Sequence, residues 1–176
     1  SRGNREIFVV GPALTGFARV VKAGTAYQST KPEYNLQIEL DPKTEEGKAA
    51  IKAITEAHER NIAFEKESRP NEEVLDYGVP LKAIDTSDTT ANGVSRNPDV
   101  FTTGNLKLTA KSMFKPGIFG SLRVGDGGNS DISMVMTHEI PVGSLVKVKL
   151  ALLSYFQDGD VKRGAKAVAG SSVKLQ

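Results

Sequence analysis

Apolar and polar residues alternate in short runs along most of this chain, and a helical period shows in only one stretch. The fullest run is Gly143 to Gln176, GSLVKVKLALLSYFQDGDVKRGAKAVAGSSVKLQ. Period 2 places Val146, Val148, Leu150 and Leu152 on one face and Lys147, Lys149, Ala151, Leu153 and Tyr155 on the other. The strand ends on the adjacent aromatics Tyr155 and Phe156. A polar loop carrying Lys162, Arg163 and Lys166 comes next, and then a second short strand, so the pattern predicts a basic β-hairpin with rings at its tip.

Upstream, Ile7 to Val10 reads as a short strand stopped by Gly11-Pro12, and Leu14 to Lys22 as a second strand. In that second strand Phe17, Arg19 and Val21 share one face, with Ala18 and Val20 on the other. Phe17 fits either the core or, with Arg19, a stacking and phosphate-contacting pair. The cleanest alternation is Tyr34 to Leu40, with Tyr34, Leu36, Ile38 and Leu40 inward and Asn35, Gln37 and Glu39 outward. Asp41-Pro42 then predicts a helix start, Asp41 as N-cap and Pro42 at the first position. The helix is expected over about 42–68, with Glu45 and Glu46 in its first turn and Arg69-Pro70 closing it. His58 lies beside the apolar stripe without an adjacent ligand set, which predicts a structural histidine.

Val79 to Ile84 reads as an edge strand because of Pro80. Residues 85–100 are rich in Asp, Thr, Asn and Ser and have no periodic apolar face, so an exposed loop is expected. Asp85, Asp88 and Asp99 lack the spacing of a calcium loop. Leu106 to Phe114 alternates again, with Leu106, Leu108, Ala110 and Phe114 opposite Lys107, Thr109, Lys111 and Met113. Ile118 to Val124 predicts another strand, bearing Phe119 and Arg123. Gly125 to Gly128 reads as a hairpin turn, since no Lys-Ser/Thr comes after it to make a phosphate loop.

The length of 176 residues suits one domain, 1–176, with a single core. The absence of Cys excludes a disulfide framework and a thiolate metal site and fits a reducing cytosol. No run approaches a membrane-spanning length, and Ser1 to Gly11 lacks the order of a signal peptide. The formal net charge is only +2, but its distribution changes the picture. Residues 1–41 carry five Lys/Arg against four Asp/Glu, 42–101 eight against twelve, and 102–176 ten against five. A polyanion is therefore expected at the first and last segments.

Several short strands and one inserted long helix predict an all-β fold, either a closed barrel of the OB type or a small sandwich. The barrel is favoured because two strands with lysines at every other position and a long polar hairpin then surround one groove. Lysines neutralise phosphates and exposed rings stack on bases, so the layout suits single-stranded nucleic acid, while the same lysines also suit a merely soluble outer face. The cations selected are Arg19, Lys22, Lys31, Lys107, Lys111, Lys147, Lys149, Lys162 and Arg163. The rings are Tyr155, Phe156 and Phe17, with Tyr27 and Phe119 as further possibilities.

KPEYNLQIELDPKTEEGKAAIKAITEAHE (31–59), LKLTAKSMF (106–114) and above all GSLVKVKLALLSY with GSSVKLQ (143–176) resemble the single-stranded DNA-binding proteins of lytic tailed bacteriophages. The resemblance runs through most of the chain in order, and the C-terminal hairpin is its most specific part. It implies a single OB-fold, a five-stranded Greek-key barrel with extra short strands. It also implies a groove that binds single-stranded DNA without strong sequence preference in phage replication and recombination, in the cytoplasm of the bacterial host. Carried over, the hairpin aromatic is Tyr155, the basic residue ahead of the second strand is Lys31, and the middle-strand lysine is Lys107. The family's further aromatic falls here on Gln157, so stacking passes to Phe156 or Phe17. The stretch 86–100 has no family counterpart. Such proteins also end in an acidic tail that contacts the replication polymerase and helicase; no such tail comes after Gln176, so either it has been removed or the protein lacks one.

The expectation is a non-catalytic protein without cofactor or metal that protects and organises single-stranded DNA. Two alternatives use the same residues: a structural or protein-interaction module of a virion, and a metal-dependent nuclease. The nuclease needs convergent carboxylates, whereas here they spread over the helix and the 85–100 loop.

Overall fold

The computed structural model describes residues 3–25, 28–120 and 130–176; Tyr27, Arg123 and the Gly125–Gly128 turn lie outside them. Five strands form a closed ring: β1 (Arg5–Thr25), β2 (Pro32–Leu40), β5 (Leu106–Ser112), β9 (Ala167–Leu175) and β8 (Leu145–Gln157). Neighbours in the ring are antiparallel except β5 and β9, which run parallel and meet where Lys111 faces Lys174. One parallel closure in an otherwise antiparallel five-stranded ring makes a closed barrel, not a sandwich, and is the Greek-key arrangement the resemblance implies. The short strands β3 (Val74–Asp76) and β4 (Lys82–Ala83) extend the sheet beyond β9 and β5. A separate two-stranded ribbon joins β6 (Phe119–Gly120) to β7 (Ser130–Asp131).

The inward parity of each strand supplies the core. Leu36, Ile38 and Leu40 meet Leu108 and Ala110 from β5, Val148, Leu150 and Leu152 from β8, and Val173 and Leu175 from β9. Helix α1 (Glu45–Glu67) lies between β2 and β3 in the chain and packs on β8, β1 and β9. Its buried positions, Ala50, Ile54, Ala57, His58, Asn61, Ile62 and Glu65, recur at helical spacing. The stripe is apolar at its start and polar at its end. None of the helix is long and apolar enough to cross a membrane.

Four local expectations are corrected. Gly11-Pro12 does not break β1, because it sits in a register shift against β8 between Val10 and Ala13, a bulge where no ladder N–H is needed. The helix begins at Glu45 rather than at Pro42, and Thr44 is its N-cap: Oγ1 accepts from Gly47 N–H at 3.0 Å. Asp41 shapes the preceding turn, its carbonyl accepting from Thr44 N–H and its carboxylate from Lys43 N–H. β5 ends at Ser112, so Phe114 leaves the strand and is exposed instead of facing the core with Leu106.

The 85–100 stretch is exposed over most of its length but is tied down at Asn97 and by the adjoining residues Phe101 and Thr102. Phe101 is buried against Gly16, where a Cβ would come within 2.7 Å of the ring. Thr102 N–H donates to Glu39 Oε2 at 2.6 Å, which buries an outward-parity carboxylate on β2. Asn97 is buried and donates to Asp85 O at 2.8 Å.

Thr44→Ala removes a side-chain cap and is expected to lower unfolding free energy by about 1 kcal/mol. Asp41→Ala, which leaves the cap in place, should cost less, and urea denaturation of the two variants distinguishes the assignments.

Candidate nucleic-acid interface

On β8, Lys147, Lys149, Leu153 and Tyr155 stand on the outer face, as period 2 requires. Their cross-strand partners complete the surface: Val9 beside Lys149, Arg5 beside Leu153, Lys174 beside Ala151, and Gly170 beside Tyr155. A cleft of about 470 Å³ lies between this face and the segment after β5, lined by Arg5, Phe114, Lys115, Leu153, Lys174 and Gln176 among others.

On the far side of the closure, Arg19 pairs with Asn35, Asn35 with Lys111, and Lys111 with Lys174. The register thus strings Arg19, Lys111 and Lys174 across four strands of the barrel wall. Arg19 and Lys111 are exposed, and Lys111 pairs with Glu33 at 3.4 Å. Phe17, 44% exposed, projects from the same part of β1, where its N–H donates to Gln37 Oε1 at 3.2 Å. Phe17 is therefore not a core residue.

The remaining predicted cations belong to other parts of the chain. Lys22 and Lys31 are exposed near the β1–β2 connection. Lys162 and Arg163 form an exposed 3-10 turn between β8 and β9, with Arg163 Nε 3.6 Å from Asp160 Oδ2. Lys107 is only half exposed, at the opposite end of β5 from Lys111, and its Nζ donates to Asn97 Oδ1 at 2.8 Å. Burial, followed by the neighbouring Lys82, lowers its pKa.

Phe156 does not join the outer face, because its parity turns it inward. It packs against Ile62, Val74 and Ala169, and the Arg69 guanidinium lies 3.5 Å from its ring centroid. These contacts leave Phe156 only partly exposed, on the inward parity of β8 and apart from Tyr155. Phe119, by contrast, is well exposed on β6.

Tyr155 has a partner that sequence reasoning missed. β3 runs parallel to β9 with Asp76 opposite Ala169, and Tyr77 N–H donates to Ala169 O at 2.9 Å, so Tyr77 comes to lie beside Gly170. Gly170 has Tyr155 on one side and Tyr77, 76% exposed, on the other. A Cβ at Gly170 would come within 2.5 Å of the Tyr155 hydroxyl, so the phenol lies directly over the glycine backbone. Burial first, and then Tyr77, push the Tyr155 pKa above the ordinary phenol value. The alternation around Tyr77 spans only Val74 to Tyr77, too short a period to read. Lys174 was legible, since it lies between the inward Val173 and Leu175; Arg5 was not, because Ile7 to Val10 is apolar on both parities.

A buried network fixes this corner. His58 is almost wholly enclosed; its Nε2 lies 2.7 Å from Asp76 Oδ1 and its Nδ1 2.8 Å from Ser171 Oγ. The carboxylate can only accept, so Nε2 carries the hydrogen and, in the neutral ring, Nδ1 accepts from Ser171. Asn61 Nδ2 also donates to Ser171 Oγ at 2.9 Å, and Gly78 N–H to Asp76 Oδ1 at 2.8 Å. Burial acts to raise the Asp76 pKa, but the bonds from Gly78 and His58 outweigh it and leave the carboxyl below its ordinary value. A Ser, a His and an Asp in line suggest hydrolytic chemistry, yet the imidazole is sealed from solvent and the hydroxyl already engaged. The arrangement works as a latch that holds β3 and β9 to α1. Among the described residues no group of three or more His, Cys, Asp or Glu could hold a metal ion.

No family model and no curated protein sequence matches the chain. Its fold is similar to that of a C-terminally truncated single-stranded DNA-binding protein from bacteriophage Enc34, at 17% identity, TM-score 0.53, covering 97% of this chain and 84% of that one. The Enc34 protein in complex with single-stranded DNA scores 0.47 at 15% identity, over 97% and 85% of the two chains. The single-stranded DNA-binding protein encoded by bacteriophage T7 scores 0.49 at 15% identity, over 97% and 91%. The first of these likenesses identifies the barrel as an OB-fold.

Tyr77→Phe should bring the Tyr155 ionisation part of the way back towards the ordinary phenol value, since burial, the larger cause, is untouched. NMR titration of the Tyr155 ring resonances reads this directly. An unchanged Tyr155 midpoint would show that the two phenols do not sense each other.

Proposed function

We propose that this protein binds single-stranded DNA without strong sequence preference and without catalysis, protecting and organising it during phage replication and recombination. The observation that carries this reading is the outer face of β9. Lys174 at one end continues the cationic line from Arg19 and Lys111, and Gly170 at the other is flanked by the rings of Tyr77 and Tyr155. Cations that neutralise phosphates and rings that take bases thus share one strand face of a closed barrel. The truncated Enc34 protein of similar fold supports the reading, as does the order of motifs along the chain.

Within it, Arg19, Lys111, Lys147, Lys149 and Lys174 contact the backbone, with Lys22, Lys31, Lys162 and Arg163 along the approaches. Tyr155 and Tyr77 stack on bases, and Phe17 offers a further ring. Residues 1–176 act as one OB-fold domain. The same reading places the protein in the cytoplasm of the bacterial host and, on the resemblance alone, gives it the replication polymerase and helicase as partners.

Fluorescence-anisotropy titration with an unstructured oligo-dT tests the proposal. With four to six phosphates met, log K is expected to fall against log salt with a slope of about −3 to −4. Each stacked base is worth about 1–3 kcal/mol, so Tyr155→Ala and Tyr77→Ala should each weaken binding by about tenfold without unfolding the protein. Absent or salt-insensitive binding would sink the reading and favour a protein-interaction module; cleavage of the oligonucleotide with Mg²⁺ or Mn²⁺ would favour a nuclease.

A further inference from the structure

Lys82 and Lys107 are direct register partners on β4 and β5. Like charges placed opposite one another on a sheet are destabilising. Arg96 closes in from the 85–100 stretch, where its N–H donates to Asp88 O at 3.0 Å and its Nε lies 3.5 Å from Asp88 Oδ1. The four side chains, with Ala83 and Asn97, line an open cleft of about 620 Å³. Three cations share one carboxylate there.

Lys107 is the innermost of them. Its ammonium is steadied by Asn97, which is itself buried and anchored on Asp85 O. Loss of water, followed by the proximity of Lys82, disfavours its charged form, and Asp88 offsets this only in part. Glu39, the register partner of Lys107 on β2, is buried and accepts from Thr102 N–H, so the cleft itself, polar and open to solvent, sets three cations against the Asp88 carboxylate. Such a cluster is relieved by an anion with several oxygens.

We propose that Lys82, Arg96 and Lys107 form a phosphate-binding pocket that receives the backbone of a bound single strand beyond the barrel wall. The proposal rests on the nucleic-acid reading above and lengthens its footprint. Lys107 shares the outer face of β5 with Thr109 and Lys111, and four residues along a strand span about 13 Å. A strand crossing at Lys111 is thereby led to the pocket, and the 85–100 stretch, which the phage-family pattern does not contain, supplies Arg96.

The test compares Lys82→Ala, Arg96→Ala and the double variant with the wild-type chain in oligo-dT titrations at several salt concentrations. Each lost phosphate contact should reduce the steepness of log K against log salt by about 0.7, so the double variant should lose about 1.4. Lys52→Ala, on the exposed side of α1, should leave the slope unchanged. NMR titration of the Lys107 ammonium gives a second readout: its pKa should rise in Lys82→Ala, and in the wild-type chain on adding oligo-dT or inorganic phosphate. A wild-type slope in the double variant, with the wild-type chain binding normally, overturns the pocket and leaves the broader reading standing. Absence of oligo-dT binding by the wild-type chain removes that broader reading, and a Lys107 titration unmoved by inorganic phosphate then removes the pocket as well.

Discussion

Parallel pairing of β5 with β9 closes the barrel, and the rest of the molecule depends on that contact. Antiparallel neighbours can be joined by short turns, but two parallel strands must be brought together by a long connection, here everything between Ser112 and Ala167. Closure, with β4 along β5 and β3 along β9, covers the outer edges of both strands, and Leu108, Leu150 and Leu152 are completely buried inside. It also joins two outer surfaces, because Lys111 and Lys174 meet at the seam. Burial of leucines inside and alignment of cations outside are consequences of a single register, since side chains alternate across a strand.

The second organising feature is the polar end of α1. A helix whose stripe were apolar throughout could slide on the barrel with little penalty, whereas His58, Asn61 and Glu65 each need a specific partner. They find Asp76, Ser171, Asn4, Ser154 and Arg69, and no buried side-chain polar atom among the described residues lacks a hydrogen-bond partner. An unpaired group at such depth costs more than a satisfied one contributes, so the network selects one seating of the helix. That seating places the three-residue strand β3, and with it Tyr77, beside Gly170.

The 85–105 region shows the same economy of contacts. Its surface is polar, and a small set of inward groups holds it: Ile84, Asn97, Phe101 and the N–H of Thr102. By covering Glu39, these contacts bury a carboxylate of outward parity on β2, opposite Lys107. The region thereby alters the electrostatics of the barrel wall as well as carrying Arg96.

Period-2 runs alone determined which residues of β2, β5 and β8 face inward, and therefore which lysines face out. Helical spacing and the Asp41-Pro42 stop revealed the long helix and its place after the second ring strand, because local periodicity is written residue by residue. These patterns did not reveal that Phe156 packs on Arg69 and a small apolar cluster while Tyr155 lies over Gly170, although both belong to the same strand. Tyr77 lay in a run too short to have a period, and Glu39, outward by parity, is covered by residues sixty positions away. Such outcomes are set by contacts between distant segments. The alternation of a strand assigns a side chain to a face, and only the packing of other segments against that face decides whether it meets water, a base or a neighbouring side chain.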